Sequence, residues 1–298
     1  MALGGNALLL RGEALTAENQ ARNVARAAEA LGRIADGNEL VVVHGSGPQV
    51  GLLALQDAAL ADQGNFPLDI LNAETIGMIG YPVAQELGNV LPDRKVATLL
   101  TRIEVDPRDP AFQDPTKPIG PVYTEEEARR AASRKGWTVG PDGECWRRLG
   151  PTPPPVRILD VAVMRLLVDA GVILLCAGGG GIPVVFDAWG RAHGVEAIID
   201  KDPSAALVAR ELEADALLFF TDVPAVEAGW GTEDARPLDE VTVEEIRSYD
   251  FPAGSMGPKV AAATTFVEET GGLAAIGRLS DAADILAGRE GTRIRAEQ

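Results

Sequence analysis

The residues of this sequence that point most clearly to catalysis or ligand binding are a lysine and the two carboxylates on either side of it. The apolar run 197–199 predicts a buried strand, and Asp200-Lys201-Asp202 follows at its exit. Pro203 then suits the first turn of a helix, because the N–H that proline lacks has no intrahelical acceptor there. A helix N-terminus attracts anions, so Lys201 could handle a phosphate while its acidic neighbours hold it. The alternative is a solvated, capped helix start, and this motif alone leaves both open.

Two further lysines occur in turns rich in glycine and proline. Lys259 follows Gly254-Ser255-Met256-Gly257-Pro258 at a predicted helix start, where its charge opposes the helix dipole unless an anion is bound. Lys117 lies in the proline-rich run 115–121. Any one of these lysines could be an ordinary surface residue. Together they favour phosphoryl transfer, because that reaction needs cations around the transferred group and little covalent chemistry.

Three glycine-rich turns each follow an apolar run. They are Gly4-Gly5-Asn6, Gly45-Ser46-Gly47 and Gly178-Gly179-Gly180-Gly181. In a parallel sheet such turns gather at the carboxyl edge of the strands, where ligands bind. Glycine also lets backbone N–H groups approach an anion closely. One turn alone is more typical of plain structure, but three on one sheet edge predict a phosphate or carboxylate site.

Several other chemistries find little support in the sequence. It contains neither the P-loop pattern G-x-x-x-x-G-K-[ST] nor the dinucleotide-binding pattern G-x-G-x-x-G. His44 and His193 are the only histidines, which argues against a histidine-based metal site or catalytic triad. We expect His44, at a strand end, to be a structural hydrogen-bonding residue.

The composition narrows the classes of partner. The 298 residues carry a formal net charge of −17, so we expect neither nucleic acid nor an anionic membrane as a partner. We also expect no membrane-spanning segment and no signal peptide. Two cysteines are too few for a disulfide framework, which favours a reducing cytoplasm.

The elements that must position these residues repeat one unit, an apolar run followed by a turn and a helical pattern. Helices are predicted over 16–35, with Thr16 as N-cap, and over 68–90. Buried strands are predicted over 40–43, within 95–103 and over 216–221. Strands alternating with helices imply an α/β fold whose mainly parallel sheet has helices on both faces.

The composition changes between about residues 106 and 155. Prolines crowd both ends of this segment, and a short acidic helix (124–135) and a hairpin around 141–143 are predicted between them. The segment has large apolar side chains that could form a small core of its own, namely those of Trp137, Val139 and Trp146. It is therefore expected to be a small inserted subdomain and not a linker.

Taken together, these motifs resemble those of the carbamate kinases, in the amino-acid-kinase family. The resemblance rests on the Ala2–Leu8 block, His44-Gly45-Ser46-Gly47-Pro48-Gln49-Val50-Gly51, the runs 115–121, 176–185 and 254–259, and Asp200-Lys201-Asp202. It implies a homodimer of single-domain chains (1–298), each a three-layer sandwich with a mainly parallel sheet of about eight strands. Residues 106–155 would form a lid, 1–190 the carbamate and phosphoryl side, and 191–298 the nucleotide side.

The resemblance also implies roles for individual residues in reversible phosphoryl transfer between ATP and carbamate. Lys201 and Lys259 would neutralise the migrating group, Asp202 would hold both lysines, and Lys117 would reach in from the lid. The carbamate and phosphoryl oxygens would be bound by Gly4, Gly5, Asn6, Gly45, Ser46, Gly47, Gly179 and Gly180. The nucleotide would be bordered by Asp222, Val223, Met256, Gly257 and Pro258. Magnesium would bridge the ATP or ADP phosphates without direct protein ligands.

The sequence departs from the family pattern at two points. Ser46 stands where the family usually has Asn, which puts the carbamate contacts in doubt. The family's first strand begins several residues before Ala-Leu-Gly-Gly, so we expect a start upstream of Met1 or a tolerated strand stub.

Ala2 stands where other amino-acid kinases carry lysine, which favours a carbamate kinase. Two alternatives remain, another acid kinase of this fold acting on a small carboxylate or phosphonate, and a catalytically silent nucleotide-binding relative.

Overall fold

The computed structural model describes residues 1–10, 12–59, 66–252 and 254–297. The helices of this part are α1 (Gly5–Leu8), α2 (Ala17–Ala35), α3 (Gly47–Ala59), α4 (Leu68–Val90), α5 (Glu125–Lys135), α6 (Val161–Asp169), α7 (Lys201–Glu211), α8 (Val243–Arg247), α9 (Met256–Thr270) and α10 (Ala282–Leu286). The strands are β1 (Ala2–Leu3), β2 (Val41–His44), β3 (Val96–Thr98), β4 (Arg102–Glu104), β5 (Lys117–Tyr123), β6 (Thr138–Asp142), β7 (Cys145–Gly150), β8 (Arg157–Ile158), β9 (Ile173–Leu175), β10 (Ile182–Phe186), β11 (Ala192–Gly194), β12 (Ala216–Thr221), β13 (Val226–Ala228), β14 (Arg236–Leu238), β15 (Glu240–Thr242), β16 (Leu273–Arg278) and β17 (Thr292–Arg295).

The centre of the molecule is an eight-stranded sheet with the order β15-β17-β16-β12-β1-β2-β9-β3. Neighbouring strands run parallel except for the β16–β17 pair, which is antiparallel. The predicted α/β fold with a mainly parallel sheet of about eight strands is confirmed.

Alternate residues of the central strands enter two separate cores. Leu217 and Phe219 of β12 pack on the face covered by α6, α7 and α9. Leu218 and Phe220 pack on the opposite face, under α2, α4 and α10. A strand that is apolar on both faces is typical of a parallel sheet buried between helical layers. Burial of each Phe contributes about 2–3 kcal/mol, so the two layers together fix the strand ends that carry the site.

Helix signals in the sequence were accurate. α4 has the predicted bounds, and Thr16 caps α2 by accepting a hydrogen bond from the Asn19 backbone N–H at 3.2 Å. No helix in the described part of the chain is long and apolar enough to cross a membrane.

One strand prediction was incomplete and another was wrong. The strand predicted within 95–103 is β3, which joins the central sheet, but the chain then enters β4, which joins a second sheet with the order β11-β10-β4-β8. Between them the chain turns at Thr101, whose hydroxyl accepts a hydrogen bond from the Ala177 backbone N–H at 2.9 Å. Residues 197–199 are buried but join no strand ladder, and the Ile198 N–H instead donates to the Pro151 carbonyl at 2.9 Å.

The segment 106–155, which was predicted to be a small inserted subdomain, contains a sheet of its own. Its three strands make an antiparallel sheet in the order β5-β7-β6, and α5 packs against it. The guanidinium of Arg148 lies 4.7 Å from the centre of the Trp137 ring, and that of Arg129 lies 4.9 Å from the centre of Trp146. The two tryptophans thus supply the packing that was predicted for them. We call this segment the lid.

β1 has only two residues, yet it is held from both sides. Ala2 and Leu3 pair in parallel with Val43 and His44 of β2 and with Phe219 and Phe220 of β12. The Gly4 N–H adds a hydrogen bond of 3.0 Å to the Phe220 carbonyl. The first glycine turn is therefore fixed at the carboxyl edge of the central sheet.

Candidate active site

Two clefts open at the carboxyl edge of the central sheet and meet at Lys201 and Lys259. The first, of about 270 Å³, extends towards β12 and the loop before α9, and we call it the nucleotide cleft because it holds residues predicted to border a nucleotide. The second, of about 230 Å³, extends towards the lid and the second glycine turn, and we call it the acceptor cleft because it holds residues predicted to bind the acceptor. Gly5, Gly254 and Ser255 also line both clefts. A group that passes from one cleft to the other would pass beside the two lysines.

Asp202 holds both lysines where the clefts meet. Lys201 Nζ donates a hydrogen bond to Asp202 Oδ1, and Lys259 Nζ lies 3.1 Å from Asp202 Oδ2. The Asp202 side chain is 4% exposed and the two lysine side chains about a tenth. Lys259 also donates to the Ser255 carbonyl at 3.3 Å, which bends it back over the first turn of α9. The structure thus brings together three of the four predicted catalytic residues.

The net charge of this cluster favours the binding of an anion. Burial lowers the pKa of Lys201, the nearby charge of Lys259 lowers it further, and Asp202 acts in the opposite direction. The cluster carries two cations against one carboxylate, so a bound anionic group would supply the missing negative charge. Lys259 sits near the N-terminus of α9, where the helix dipole also favours an anion.

Lys117 is the fourth predicted catalytic residue, and it comes from the lid. Its Nζ lies 3.2 Å from Asp200 Oδ2, and its side chain is 45% exposed at the edge of the acceptor cleft. Burial opposes ionisation of Asp200, but Lys117, the Asp202 N–H and Lys201 outweigh it and keep the pKa of that carboxyl below its usual range. Asp200 also caps α7, since its Oδ1 accepts from the Asp202 N–H at 3.1 Å. The sequence left a capped helix start open at this point, but it did not indicate the contact between Asp200 and Lys117.

Close approach explains the glycines of the first two turns. A Cβ on Gly4 would lie 2.9 Å from the Phe220 carbonyl oxygen. A Cβ on Gly45 would lie 3.2 Å from Cδ of Lys201, so this glycine leaves room for the lysine side chain to cross. Gly5, Gly45, Ser46 and Gly47 line the acceptor cleft, whereas Gly4 lines only the nucleotide cleft. Asn6 lies in α1, but its side chain is outside the part of the molecule that the structure describes.

The third glycine turn has two different surroundings. Gly179 lines the acceptor cleft. Gly180 has a φ of +91°, and a Cβ there would lie 2.1 Å from the Ile199 carbonyl oxygen. Its own carbonyl accepts a hydrogen bond of 2.7 Å from Ser204 of α7. Gly180 therefore packs against the segment that leads into Asp200 and lines neither cleft.

The nucleotide cleft contains predicted residues and an apolar wall that sequence reasoning missed. Asp222, Val223 and Met256 line it as predicted. Trp230 and Phe251 add aromatic surface on the same side, which suits the flat face of a nucleobase. Isolated aromatic residues of this kind look like core in a sequence. Of the remaining two predicted nucleotide residues, Pro258 borders the acceptor cleft, and the Gly257 N–H donates to the Pro252 carbonyl at 2.9 Å.

Comparison with known proteins agrees with this geometry. A model of the amino acid kinase family matches residues 1–276. The chain belongs to this family. Carbamate kinase of Haemophilus influenzae is 52% identical over 295 residues, which cover 99% of this chain and 95% of that protein. Carbamate kinase of Pyrococcus furiosus is 45% identical over 307 residues, 99% of this chain and 98% of that protein. The predicted resemblance to the carbamate kinases is confirmed.

Solved structures lead to the same group. Carbamate kinase from Giardia lamblia bound to AMP-PNP superposes with a TM-score of 0.93 at 39% identity, covering 99% of this chain and 97% of that one. The fold is therefore the amino-acid-kinase fold of a phosphotransferase, as the sequence motifs predicted.

His44 is a structural residue beside the site, and it makes stability depend on pH. Its side chain packs against the third glycine turn, where a Cβ on Gly178 would lie 2.5 Å from His44 Nε2. Burial lowers the pKa of His44 from 6.5 to about 4. The folded state therefore keeps His44 neutral while the unfolded state takes up a proton below pH 6.5. The stability that this gives is complete above pH 6.5 and is lost as the pH falls towards 4.

We expect His44→Gln to remove this pH dependence. The wild-type free energy of unfolding should fall between pH 6.5 and 4 by about 3 kcal/mol more than that of the variant. Urea titrations at several pH values measure the difference. His193→Gln is the matched control, because His193 is exposed and pairs with Asp187 on a surface hairpin. Parallel pH curves for the wild type and His44→Gln would contradict the prediction.

Proposed function

We propose that this protein catalyses reversible, magnesium-dependent phosphoryl transfer between ATP and carbamate, forming ATP from carbamoyl phosphate and ADP in one direction. The observation that supports this most strongly is the position of Lys201 and Lys259, paired on Asp202 at the junction of the two clefts. A nucleotide in one cleft and a small acceptor in the other would meet there. The relatives that are about 50% identical to this chain are carbamate kinases, which supports carbamate as the acceptor.

The reaction follows from positioning and charge. Backbone N–H groups of the Gly45–Gly47 turn and Gly5 would hold the oxygens of the acceptor. Lys201 and Lys259 would contact the phosphoryl oxygens as negative charge moves between donor and acceptor. Asp202 would act as a positioning residue, because both of its oxygens are occupied by the lysines. Lys117 would close over the acceptor with the lid and exchange its contact with Asp200 for one with substrate.

Magnesium fits this site as a partner of the nucleotide. Asp202 is engaged by two lysines, and Asp200 is engaged by Lys117 and by the cap of α7. Within the described ranges, no group of three or more His, Cys, Asp or Glu residues is arranged to hold a metal ion. The ion would therefore bind through the ATP or ADP phosphates, where it neutralises charge and aligns them.

The experiment that tests the proposal is ATP formation from carbamoyl phosphate and MgADP, followed by a coupled assay. We expect turnover by the wild type and loss of turnover in Lys201→Ala. A folded wild-type protein that binds ADP but makes no ATP from carbamoyl phosphate would contradict the proposal. It would direct attention to another small carboxylate as acceptor.

We also propose that the protein is a cytoplasmic homodimer with small-molecule substrates as its ligands. Both cysteines, Cys145 and Cys176, are free thiols, which suits a reducing compartment. Large apolar side chains on the outer face of α4, among them Ile70 and Tyr81, are exposed in the single chain and would suit a contact between subunits. Sedimentation equilibrium gives the mass in solution, and a monomer at micromolar concentration would contradict the dimer.

A further inference from the structure

Behind the acceptor cleft lies a buried polar group that the reaction above does not use. Asn72 of α4 is 1% exposed and stands between two glycine turns. Its amide Nδ2 donates to the Gly181 carbonyl at 2.8 Å, and its Oδ1 lies 3.4 Å from the Ser46 hydroxyl. The side chain thus bridges the turn that carries Ser46 and the turn that carries Gly179. Both of those residues line the acceptor cleft.

The orientation of the Asn72 amide is determined by its surroundings. The Gly181 carbonyl can only accept a hydrogen bond, so the amide nitrogen must face it. The amide oxygen then faces Ser46 and Gly179, where a Cβ on Gly179 would lie 2.1 Å from it. Thr75 supports this arrangement, because its hydroxyl donates to the Asn72 backbone carbonyl at 2.7 Å.

The orientation of the Asn72 amide determines the direction in which the Ser46 hydroxyl proton points. Asn72 Oδ1 can only accept, so the Ser46 hydroxyl proton points away from the cleft towards Asn72. Ser46 lines the acceptor cleft, and with its proton engaged by Asn72 its oxygen retains only lone pairs to offer a ligand there. A ligand that presents an N–H group at this point gains a hydrogen bond, whereas a ligand with a methyl group leaves the Ser46 oxygen unpaired.

We propose that Asn72 accepts the Ser46 hydroxyl proton and so leaves the Ser46 oxygen free to accept a hydrogen bond from the substrate. This pair would select substrates that carry an N–H group over their methyl analogues. The inference rests on the proposed function, since carbamate has an amino group where acetate has a methyl. Ser46 is the residue that would contact substrate, and Asn72 is a positioning residue that acts through it.

The test compares two phosphoryl donors that differ only at this group. ATP formation is measured with carbamoyl phosphate and with acetyl phosphate, each with MgADP, and the ratio of the two kcat/KM values is the readout. We expect the wild type to prefer carbamoyl phosphate. Ser46→Ala should lower the carbamoyl phosphate value by about tenfold and leave the acetyl phosphate value within about threefold.

Two substitutions at Asn72 distinguish its effect on the Ser46 hydroxyl from its contribution to packing. Asn72→Leu keeps the size of the side chain but no longer accepts the Ser46 hydroxyl proton, so the preference for carbamoyl phosphate over acetyl phosphate should fall by about threefold or more. Asn72→Asp, whose buried carboxyl group in its protonated form can donate to the Gly181 carbonyl, keeps an acceptor oxygen towards Ser46, so the preference should survive even where both rates are lower. A purely structural role would change the rates with both donors equally in both variants. Asn23→Leu is the control for loss of a buried asparagine, because Asn23 lies in α2 outside both clefts.

The outcomes distinguish this inference from the proposed function. A wild-type ratio in Ser46→Ala would overturn the inference while leaving the proposed function intact. A ratio lost in Ser46→Ala but kept in Asn72→Leu would overturn the role of Asn72. A ratio lost in Asn72→Asp would do the same, and that variant still answers if Asn72→Leu does not fold. Absence of wild-type turnover with carbamoyl phosphate would contradict the proposed function itself, and the inference with it.

Discussion

Lys201→Ala is expected to lower kcat for ATP formation by about 10³-fold and to change the dissociation constant of MgADP by less than about threefold. The lysine lies at the junction of the clefts, and its ammonium group is held by Asp202 where the migrating phosphoryl group would pass. Its partner is therefore the charge that is in transit and not the charge that rests on the nucleotide. Interactions made mainly in the transition state affect kcat more than binding.

The measurement pairs steady-state kinetics with calorimetric titration of MgADP. Lys135→Ala is the matched control, since Lys135 lies on the lid against Trp137 and lines neither cleft. Equal losses in kcat and in nucleotide affinity would show that Lys201 is a ground-state phosphate ligand. A folded variant with wild-type kcat would remove Lys201 from the reaction altogether.

The sequence predicted the main framework well because its signals are local. α4 was predicted over about residues 68–90 and spans Leu68–Val90, since the apolar positions recur at helical spacing and proline precedes the first of them. The sheet followed from apolar runs that alternate with helices. The cluster of Lys201, Lys259 and Asp202 was expected only from the resemblance to the carbamate kinases, because the Asp-Lys-Asp motif alone left a solvated, capped helix start open.

The failures arose where tertiary contacts decide. Residues 197–199 have the composition of a buried strand, yet their backbone is held by Pro151 and by the third glycine turn instead of a neighbouring strand. Asn72 looks like one polar residue on the buried face of an amphipathic helix. An asparagine on that face was a signal in itself, because a buried amide requires partners. Which partners it finds, Ser46 and Gly181, depends on the packing of α4 against both turns.

Asp202→Asn is expected to be the second most damaging substitution, with kcat lowered by about 10²-fold. The carboxylate accepts hydrogen bonds from both lysines at the same time. An amide has one oxygen and no charge, so two nearly buried ammonium groups would face each other without the carboxylate that binds both of them. Removing one partner of a buried ionic cluster costs about 3 kcal/mol or more of unfolding free energy. Asp284→Asn, which breaks an exposed pair with Arg289, should cost less than about 1 kcal/mol.

The same substitution should also shift the pH dependence of the reaction. In the wild type, burial and the charge of Lys259 lower the pKa of Lys201, and Asp202 opposes them. Without the carboxylate, the pKa of Lys201 falls further, and the ammonium form is lost at a lower pH. The alkaline limb of the kcat profile should therefore move towards neutral pH in Asp202→Asn and stay in place in Asp284→Asn. An unmoved limb, with kcat reduced equally at every pH, would mean that Asp202 orients the lysines without maintaining their charge.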